Sequence, residues 1–301
     1  MLYPLLFTPI YKNYIWGGRR IPLLFNRVYS EGPIAESWEI SAQKEGMTLV
    51  ENGPLKGLTL NQLLARDPHA LMGKHMHLKE FPLLLKLIDA RENLSIQVHP
   101  FQGKEAKNEC WIILDAEKNS RIYAGFKTLF SKTEIMRQLG SADIVGLMQN
   151  VPVKKGEVFW IPGGRLHGIG AGCLIFEVQQ TSNTTYRVYD WGRGRPCHLE
   201  EAKKILTCND SQKAQIAPKH IEHCPNYTHI ELIRTPFFIV EKWTLYKTQQ
   251  WNKKKDQCEL IFCLEGESSL VPFGRSCLIP AVCPSPTIVT KGCSFLRIFL
   301  P

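Results

Sequence analysis

No stretch of this chain is both long and apolar enough to suggest a membrane span; the longest apolar runs, such as Phe81–Ile88, are short and broken by Lys86. Ten cysteines are present without a single CxxC pair, and five of them fall after residue 250. The N-terminal MLYPLLFTPIYKNYIWGG has no basic leading segment and carries Pro4 and Pro9, which speaks against a signal peptide. Scattered cysteines without an export signal read as reduced thiols rather than a disulfide framework, so the expected compartment is the cytoplasm. No nucleic-acid reader motif occurs either, and the run Lys253-Lys254-Lys255 is short enough to be a solvated loop. A net charge of +9 over 301 residues still favours anionic partners, but charge alone does not separate nucleic acid from a phosphorylated metabolite. With 44% hydrophobic residues and 22 glycines, neither disorder nor a collagen-like repeat is indicated.

What the chain does have is strand-like segments of β-branched and aromatic residues between Gly, Pro and Asn turns. They are Trp38–Ala42, Leu83–Leu87, Ser95–His99, Cys110–Leu114, Arg121–Gly125, Glu157–Ile161, Leu174–Gln179 and Thr185–Asp190. Three helices are expected. Leu58–Leu71 has leucines at helical spacing and a bend at Asp67-Pro68; Ser131 to Glu134 forms a capping box opening Thr133–Leu139; His198–Leu206 puts its apolar residues on one face. The expected fold is therefore mainly β with a few peripheral helices.

The segment Gly156–His167, GEVFWIPGGRLH, predicts a strand, a tight turn and a second strand beginning with a histidine. It resembles the second signature motif of the cupins, small β-barrels that hold a metal between strand ends. Ser95, Gln97 and His99 share one face of an earlier strand, because side chains alternate. If that face lines a barrel, Gln97, His99, Glu109 and His167 make a mixed N/O donor set. Such a set suits Zn²⁺ and would also take Mn²⁺, Fe²⁺ or Co²⁺, with a position left for substrate. His99 alone would more simply be a buried core histidine; the complete motif around His167 outweighs that reading. Glu177 and Gln179 share a strand face, as do Thr185, Arg187 and Tyr189. Arg187 in an aromatic, β-rich run and Lys86 in an apolar one each need an anionic partner or a polar cavity. Lys107 stands two residues before Glu109.

Taken together, Glu36-Ser37-Trp38-Glu39, Phe81-Pro82 to Ala90, Leu94 to Pro100, Glu109-Cys110-Trp111 and Gln179 to Trp191 resemble the type I mannose-6-phosphate isomerases, in their short bacterial form. The resemblance implies an aldose–ketose isomerase that interconverts D-mannose 6-phosphate and D-fructose 6-phosphate by proton transfer between C1 and C2 through an enediol(ate). It implies one Zn²⁺ per chain on His99, Glu109 and His167, with Gln97 as fourth ligand, and Arg187 as the essential arginine. Lys86, Ser95 and Lys107 fall at substrate-binding positions. Glu177 and Lys107 are both candidates for the proton-transferring base, and a zinc-bound hydroxide is a third possibility. The chain departs from the family at Phe101, where an acid usually follows QVHP, in a shorter loop from His99 to Glu109, and at Asn183, where short forms often carry Asp. A cupin oxygenase using Fe²⁺ is a rival, which Lys86, Lys107 and Arg187 disfavour; a non-catalytic sugar-binding bicupin is another, which the intact ligand set disfavours. The expected partner is a small-molecule sugar phosphate, with no nucleic acid and no membrane, and the expected state is a monomer or weak homodimer.

A weak internal repeat follows residue 225. Gly274-x5-Pro280 echoes Gly156-x5-Pro162, Ser285 falls at the position of His167, and Gln257-Cys258-Glu259 falls at that of QVH. This predicts a metal-binding cupin domain over 1–215 and a degenerate, metal-free one over 216–301.

Overall fold

The computed structural model describes residues 2–29 and 32–301. It is mainly β, and the strand pairs whose register is described are antiparallel. Contacts divide the chain into two compact units: Met1–Ile10, Trp38–Leu84 and Ala217–Pro301 form one, and Tyr11–Ser37 with Leu85–Ile216 the other. One switch falls between 216 and 217, beside the expected boundary, but the units are not consecutive in sequence. Residues 1–10 and 38–84 group with the C-terminal part, because Leu5–Thr8 pairs with Ser276–Ile279 and with Leu49–Val50.

The unit containing residues 85–216 is built on two sheets. Among the described residues one runs Gln215–Ile216, Val158–Ile161, Glu109–Ala116, Cys173–Gln180, Leu83–Ala90, Glu36–Ile40, Ile10–Lys12; the other runs Tyr186–Tyr189, Ile96–Val98, His167–Ile169, Arg121–Phe126, Met148–Pro152. A core of Trp111, Ile113, Phe159, Ile161 and Ile175 from the first sheet meets Ile122, Ala124 and Ile169 from the second. The outer face of the second sheet carries Ile96, Val98, Val188 and Phe126, covered by Ile135, Ile144 and Ala202 of the helices Lys132–Gln138, Asp143–Leu147 and Leu199–Ile205. Period-two alternation then decides where the site lies. In Ile96-Gln97-Val98 the apolar residues face the helices, so Gln97 points inward between the sheets.

Every strand expected from the sequence is present with ends shifted by a few residues, and Leu83–Ala90 is longer than its apolar run because Lys86 and Asp89 are buried within it. The helix expected over 58–71 is two helices, Leu60–Arg66 and Pro68–Met72, since Pro68 supplies no amide hydrogen and Asp67 caps the second. Ser131 caps its helix through the Glu134 amide, whereas the reciprocal capping box forms at Thr59 and Gln62. Two short helices, Arg20–Leu24 and Asp143–Leu147, have no counterpart in the sequence expectation.

The other unit carries the sheet Lys219–His223, Tyr227–Arg234, Ile239–Leu245, Thr290–Phe299, Glu259–Ser268, Ser276–Ile279, Leu5–Thr8, Leu49–Val50. Its core gathers Trp251, Ile261, Cys263, Cys277, Ile279 and Phe295. All ten cysteines are unpaired. No described helix is long and apolar enough to cross a membrane.

Candidate active site

Three strands and one turn deliver the donor set. Gln97 faces His167 across one strand pair and Arg187 across the other, which places all three on the inward face. Glu109 opens its strand opposite Ile161 and Gln179, and Trp111, two residues on, lies opposite Glu177. The turn between Ile161 and His167 needs its glycines. A Cβ on Gly163 would come within 2.5 Å of the Pro100 carbonyl oxygen, and Gly164 has φ +84°.

His99, Glu109 and His167 are buried and converge, each offering a ligand atom within 4.8 Å of the others. The His99 Nδ1–H donates to the Thr184 carbonyl at 2.9 Å and the His167 Nδ1–H to the Arg165 carbonyl at 2.8 Å. Each imidazole is thereby held in the tautomer whose Nε2 carries a lone pair, and these two Nε2 atoms face each other at 3.2 Å. Glu109 Oε1 lies 3.3 Å from His167 Nε2, and Oε2 lies 3.6 Å from His99 Nε2. Neither Glu109 oxygen has a hydrogen-bond partner among the described residues. Two lone pairs and a buried carboxylate aimed at one point repel one another unless a cation lies between them, so the donor set fits a divalent metal. The Lys107 ammonium supplies part of that charge, 3.0 Å from Glu109 Oε2 and 3.1 Å from His99 Nε2. Gln97 directs Nε2 to His167 at 3.5 Å and accepts from Ser95 Oγ through Oε1 at 3.1 Å. The amide oxygen therefore faces away from the donor set, and Gln97 would have to turn its amide by half a revolution to serve as the fourth ligand.

Electrostatics follow from burial. His99 is pushed down to about 3, first by desolvation and then by Lys107, with Glu109 opposing. His167 is lowered, first by desolvation, with Lys107 adding to it and Glu109 opposing. Glu109 is held well below the usual carboxylate range: desolvation raises it, but Lys107 and the two histidines outweigh that. Because His99 titrates near 6.5 when unfolded and about 3 when folded, acidification protonates the unfolded chain first. Its contribution to stability is complete above about pH 6.5 and is lost as pH falls toward 3. Melting of metal-free protein between pH 8 and 4 is expected to show this acid slope, and His99→Ala to flatten it; an unchanged slope in the variant would contradict the assignment.

Beside the donor set lies a cavity of about 290 Å³, walled by Lys86, Ser95, Gln97, Lys107, Glu177 and Arg187 among others. The three ligands are not on its wall; Gln97 and Lys107 stand between. Buried Lys86 lies 3.5 Å from Glu36 and 3.4 Å from Glu177. Desolvation pulls its pKa down, yet Glu36, Glu177 and Glu109 together raise it, so it stays charged. Trp111 Nε1–H donates to Glu177 Oε2 at 2.9 Å, while Oε1 has no hydrogen-bond partner. Desolvation raises Glu177, and Glu109 adds to the rise. Arg187 donates from Nη1 to the Pro196 carbonyl at 2.7 Å; its Nε is buried without a partner.

The cavity wall includes residues the sequence reading assigned no role: Tyr14, Glu36, Asn183, Thr185 and Arg195. Arg195 is gripped by Asp190 through two bonds of 2.8 and 2.6 Å. Its signal was available, since it follows Arg193 in an Arg-Gly-Arg-Pro run. Tyr14 sits in an irregular segment before Trp16 and carries no sequence signal.

A mainly β chain that buries a His-Glu-His set beside a cationic cavity is of the cupin class. The chain belongs to the type I phosphomannose isomerases. Residues 5–127 match the phosphomannose isomerase type I catalytic domain. The mannose-6-phosphate isomerase of Streptococcus mutans is 34% identical over 258 residues, 81% of this chain and 80% of that protein. Mannose-6-phosphate isomerase ManA of Bacillus subtilis is 33% identical over 282 residues, 89% of this chain and 87% of its own length. A crystal structure of the mannose 6-phosphate isomerase from Bacillus subtilis superposes with a TM-score of 0.88 at 30% identity, covering 98% of this chain and 99% of that one.

Proposed function

We infer that this chain interconverts D-mannose 6-phosphate and D-fructose 6-phosphate by moving a proton between C1 and C2. The observation that carries this reading is the pair of Nε2 lone pairs 3.2 Å apart over a buried carboxylate whose oxygens accept no hydrogen bond among the described residues, next to a cavity walled by Lys86, Arg187 and Arg195. His99, Glu109 and His167 would hold one Zn²⁺ or another divalent ion, with Gln97 as fourth ligand once its amide turns. When bound, such an ion supplies Lewis-acid stabilisation of the charge that develops on the oxygens beside the carbon losing its proton. An oxygenase would have little use for three cations around its substrate, and a sugar phosphate is anionic.

The residues of the chain divide the remaining work. A base must offer a lone pair, and Lys107 already donates to His99 and is ion-paired with Glu109. Glu177 has Oε1 without a hydrogen-bond partner, its other oxygen fixed by Trp111, and a raised pKa that brings it nearer a useful range for proton transfer. We assign it as the base that takes the proton from one carbon and returns it to the next. Arg187 and Arg195 bind anionic oxygens of the substrate, and Lys86 keeps Glu177 in place. The test is isomerisation measured with and without chelator, where activity is lost and then restored by Zn²⁺. Glu177→Gln is expected to lower kcat by about 10²–10⁴, the range for general acid–base catalysis, while retaining the metal. Because Glu177 must be ionised to act, the acid limb of the wild-type profile is expected above the ordinary carboxylate range. A Glu177→Gln variant with wild-type kcat would remove it from the mechanism.

We further propose that the unit holding residues 217–301 is a metal-free repeat. Glu259 lies opposite Ile279, ahead of Pro280, as Glu109 lies opposite Ile161, ahead of Pro162. Glu259 therefore matches Glu109, rather than the QVH segment expected from the sequence. Arg297, opposite Ile261, takes the place that Glu177 takes opposite Trp111. Its buried guanidinium donates to both Glu259 oxygens, lies 3.5 Å from Glu241 and stacks 4.8 Å over Trp251. A fixed cation thus sits beside the carboxylate that matches the ligand, and the position of the base is a cation too. Ser285 is exposed and outside any strand. Arg297→Met is expected to cost about 3–5 kcal/mol of stability, the range for removing one partner of a buried ion pair. A near-neutral effect in denaturant unfolding would contradict this reading. The ten unpaired cysteines support a cytoplasmic location.

A further inference from the structure

We propose that Asn108 and Gln180 form an amide clamp that positions the metal-binding set, an inference that rests on His99, Glu109 and His167 being metal ligands. Asn108 is only 5% exposed and stands between Lys107 and Glu109. Its Nδ2 donates to Gln180 Oε1 at 2.6 Å, and its backbone N–H donates to the same oxygen at 3.1 Å. The Gln180 backbone N–H returns a bond to the Asn108 carbonyl at 3.1 Å. On its other side Asn108 Oδ1 accepts the Gly163 N–H at 2.9 Å.

These bonds join three segments, each of which either carries a ligand or carries the carbonyl that orients one. Residues 107–109 bring Lys107 and Glu109. The turn beginning at Gly163 leads to Arg165, whose carbonyl accepts from His167 Nδ1, and then to His167 itself. From its neighbour Gly164 the backbone N–H donates to the His99 carbonyl at 2.8 Å. The segment after Gln180 ends at Thr184, whose carbonyl accepts from His99 Nδ1. The intervening loop is tied down as well, since Gln179 Nε2 donates to the Ser182 carbonyl at 2.6 Å. Neither Asn108 nor Gln180 lies on the cavity wall. One side-chain amide therefore fixes the distance between the Glu109 strand and both histidine-orienting carbonyls. The closing contact is the doubly accepting Gln180 oxygen.

Gln180→Met removes that oxygen at nearly constant volume, whereas Gln180→Glu keeps an acceptor in its place. Zinc affinity and the rate of zinc transfer to a chelator are the readouts, together with the visible spectrum of the Co²⁺-loaded protein and the melting of metal-free protein. Gln180→Met is expected to weaken zinc binding by about 10–100-fold, the range for losing a partner that orients a metal ligand, and to alter the Co²⁺ bands. Metal-free melting is expected to stay near wild type, and Gln180→Glu to restore most of the affinity. Asn108→Leu should reproduce the loss. Zinc affinity of Gln180→Met within twofold of wild type would overturn the clamp, as would equal losses in the Met and Glu variants. A loss that merely follows a lower metal-free melting temperature would overturn it too. If wild-type protein takes up no zinc at all, the metal reading itself falls, and the clamp with it.

Discussion

Replacing His99 or His167 by alanine is expected to abolish stoichiometric zinc binding and to lower isomerase turnover by at least about 10³-fold. The magnitude follows from the several kcal/mol that a Lewis acid contributes to a charged transition state, at about 1.4 kcal/mol per factor of ten. The loss should not come from unfolding. Both histidines are neutral inside the fold, and their facing lone pairs, met only in part by Lys107, gain little without a metal ion between them. Metal-free His99→Ala should therefore melt close to metal-free wild type at neutral pH. Metal analysis, turnover and melting on the same preparations separate the cases. Full zinc content in both variants would show that the donor set is misassigned. Equal melting losses with and without metal would make the histidines structural.

Arg187→Ala is expected to lower kcat for mannose 6-phosphate by about 10²–10³, the range for removing one preorganised donor. Arg187 spends one nitrogen on the Pro196 carbonyl and leaves Nε buried without a partner, so the fold does not satisfy the guanidinium. Desolvation lowers its pKa first and the neighbouring Arg195 lowers it further, as expected where an anion has yet to arrive. Losing the Pro196 bond should cost stability only about 1 kcal/mol. Arg187→Lys should rescue little, because an ammonium cannot reproduce the planar fork. A raised KM with unchanged kcat would instead assign Arg187 to uniform substrate binding. Loss of zinc from the variant would make its role structural.

The parts of the site legible in the sequence are those that obey a short period. Gln97 and His99 could be placed on one face because strands alternate, and Gly156–His167 could be read because a tight turn demands glycine where the backbone reverses. Lys86 and Arg187 stood out because a charge in an apolar strand must be explained, and both reach the cavity. What could not be read depends on contacts between distant segments. Nothing local connects Asn108 to Gly163 or Glu36 to Lys86, and the orientation of the Gln97 amide depends on Ser95 and His167 together. The division into units was hidden for the same reason. Strand Leu5–Thr8 pairs with a partner some 270 residues later, and such pairing leaves no periodic trace. In the proposed second repeat, Gly-x5-Pro could be read from the sequence, but the match of Glu259 to Glu109 required the strand register.

One divalent ion bound on His99, Glu109 and His167 is proposed to make this chain an isomerase of sugar phosphates. The most direct measurement follows conversion of mannose 6-phosphate to fructose 6-phosphate as zinc is titrated into chelated protein. Negligible conversion is expected without metal, followed by a linear rise and a break at one equivalent of zinc per chain. Full activity in chelated protein, or zinc-loaded protein without conversion, would contradict it.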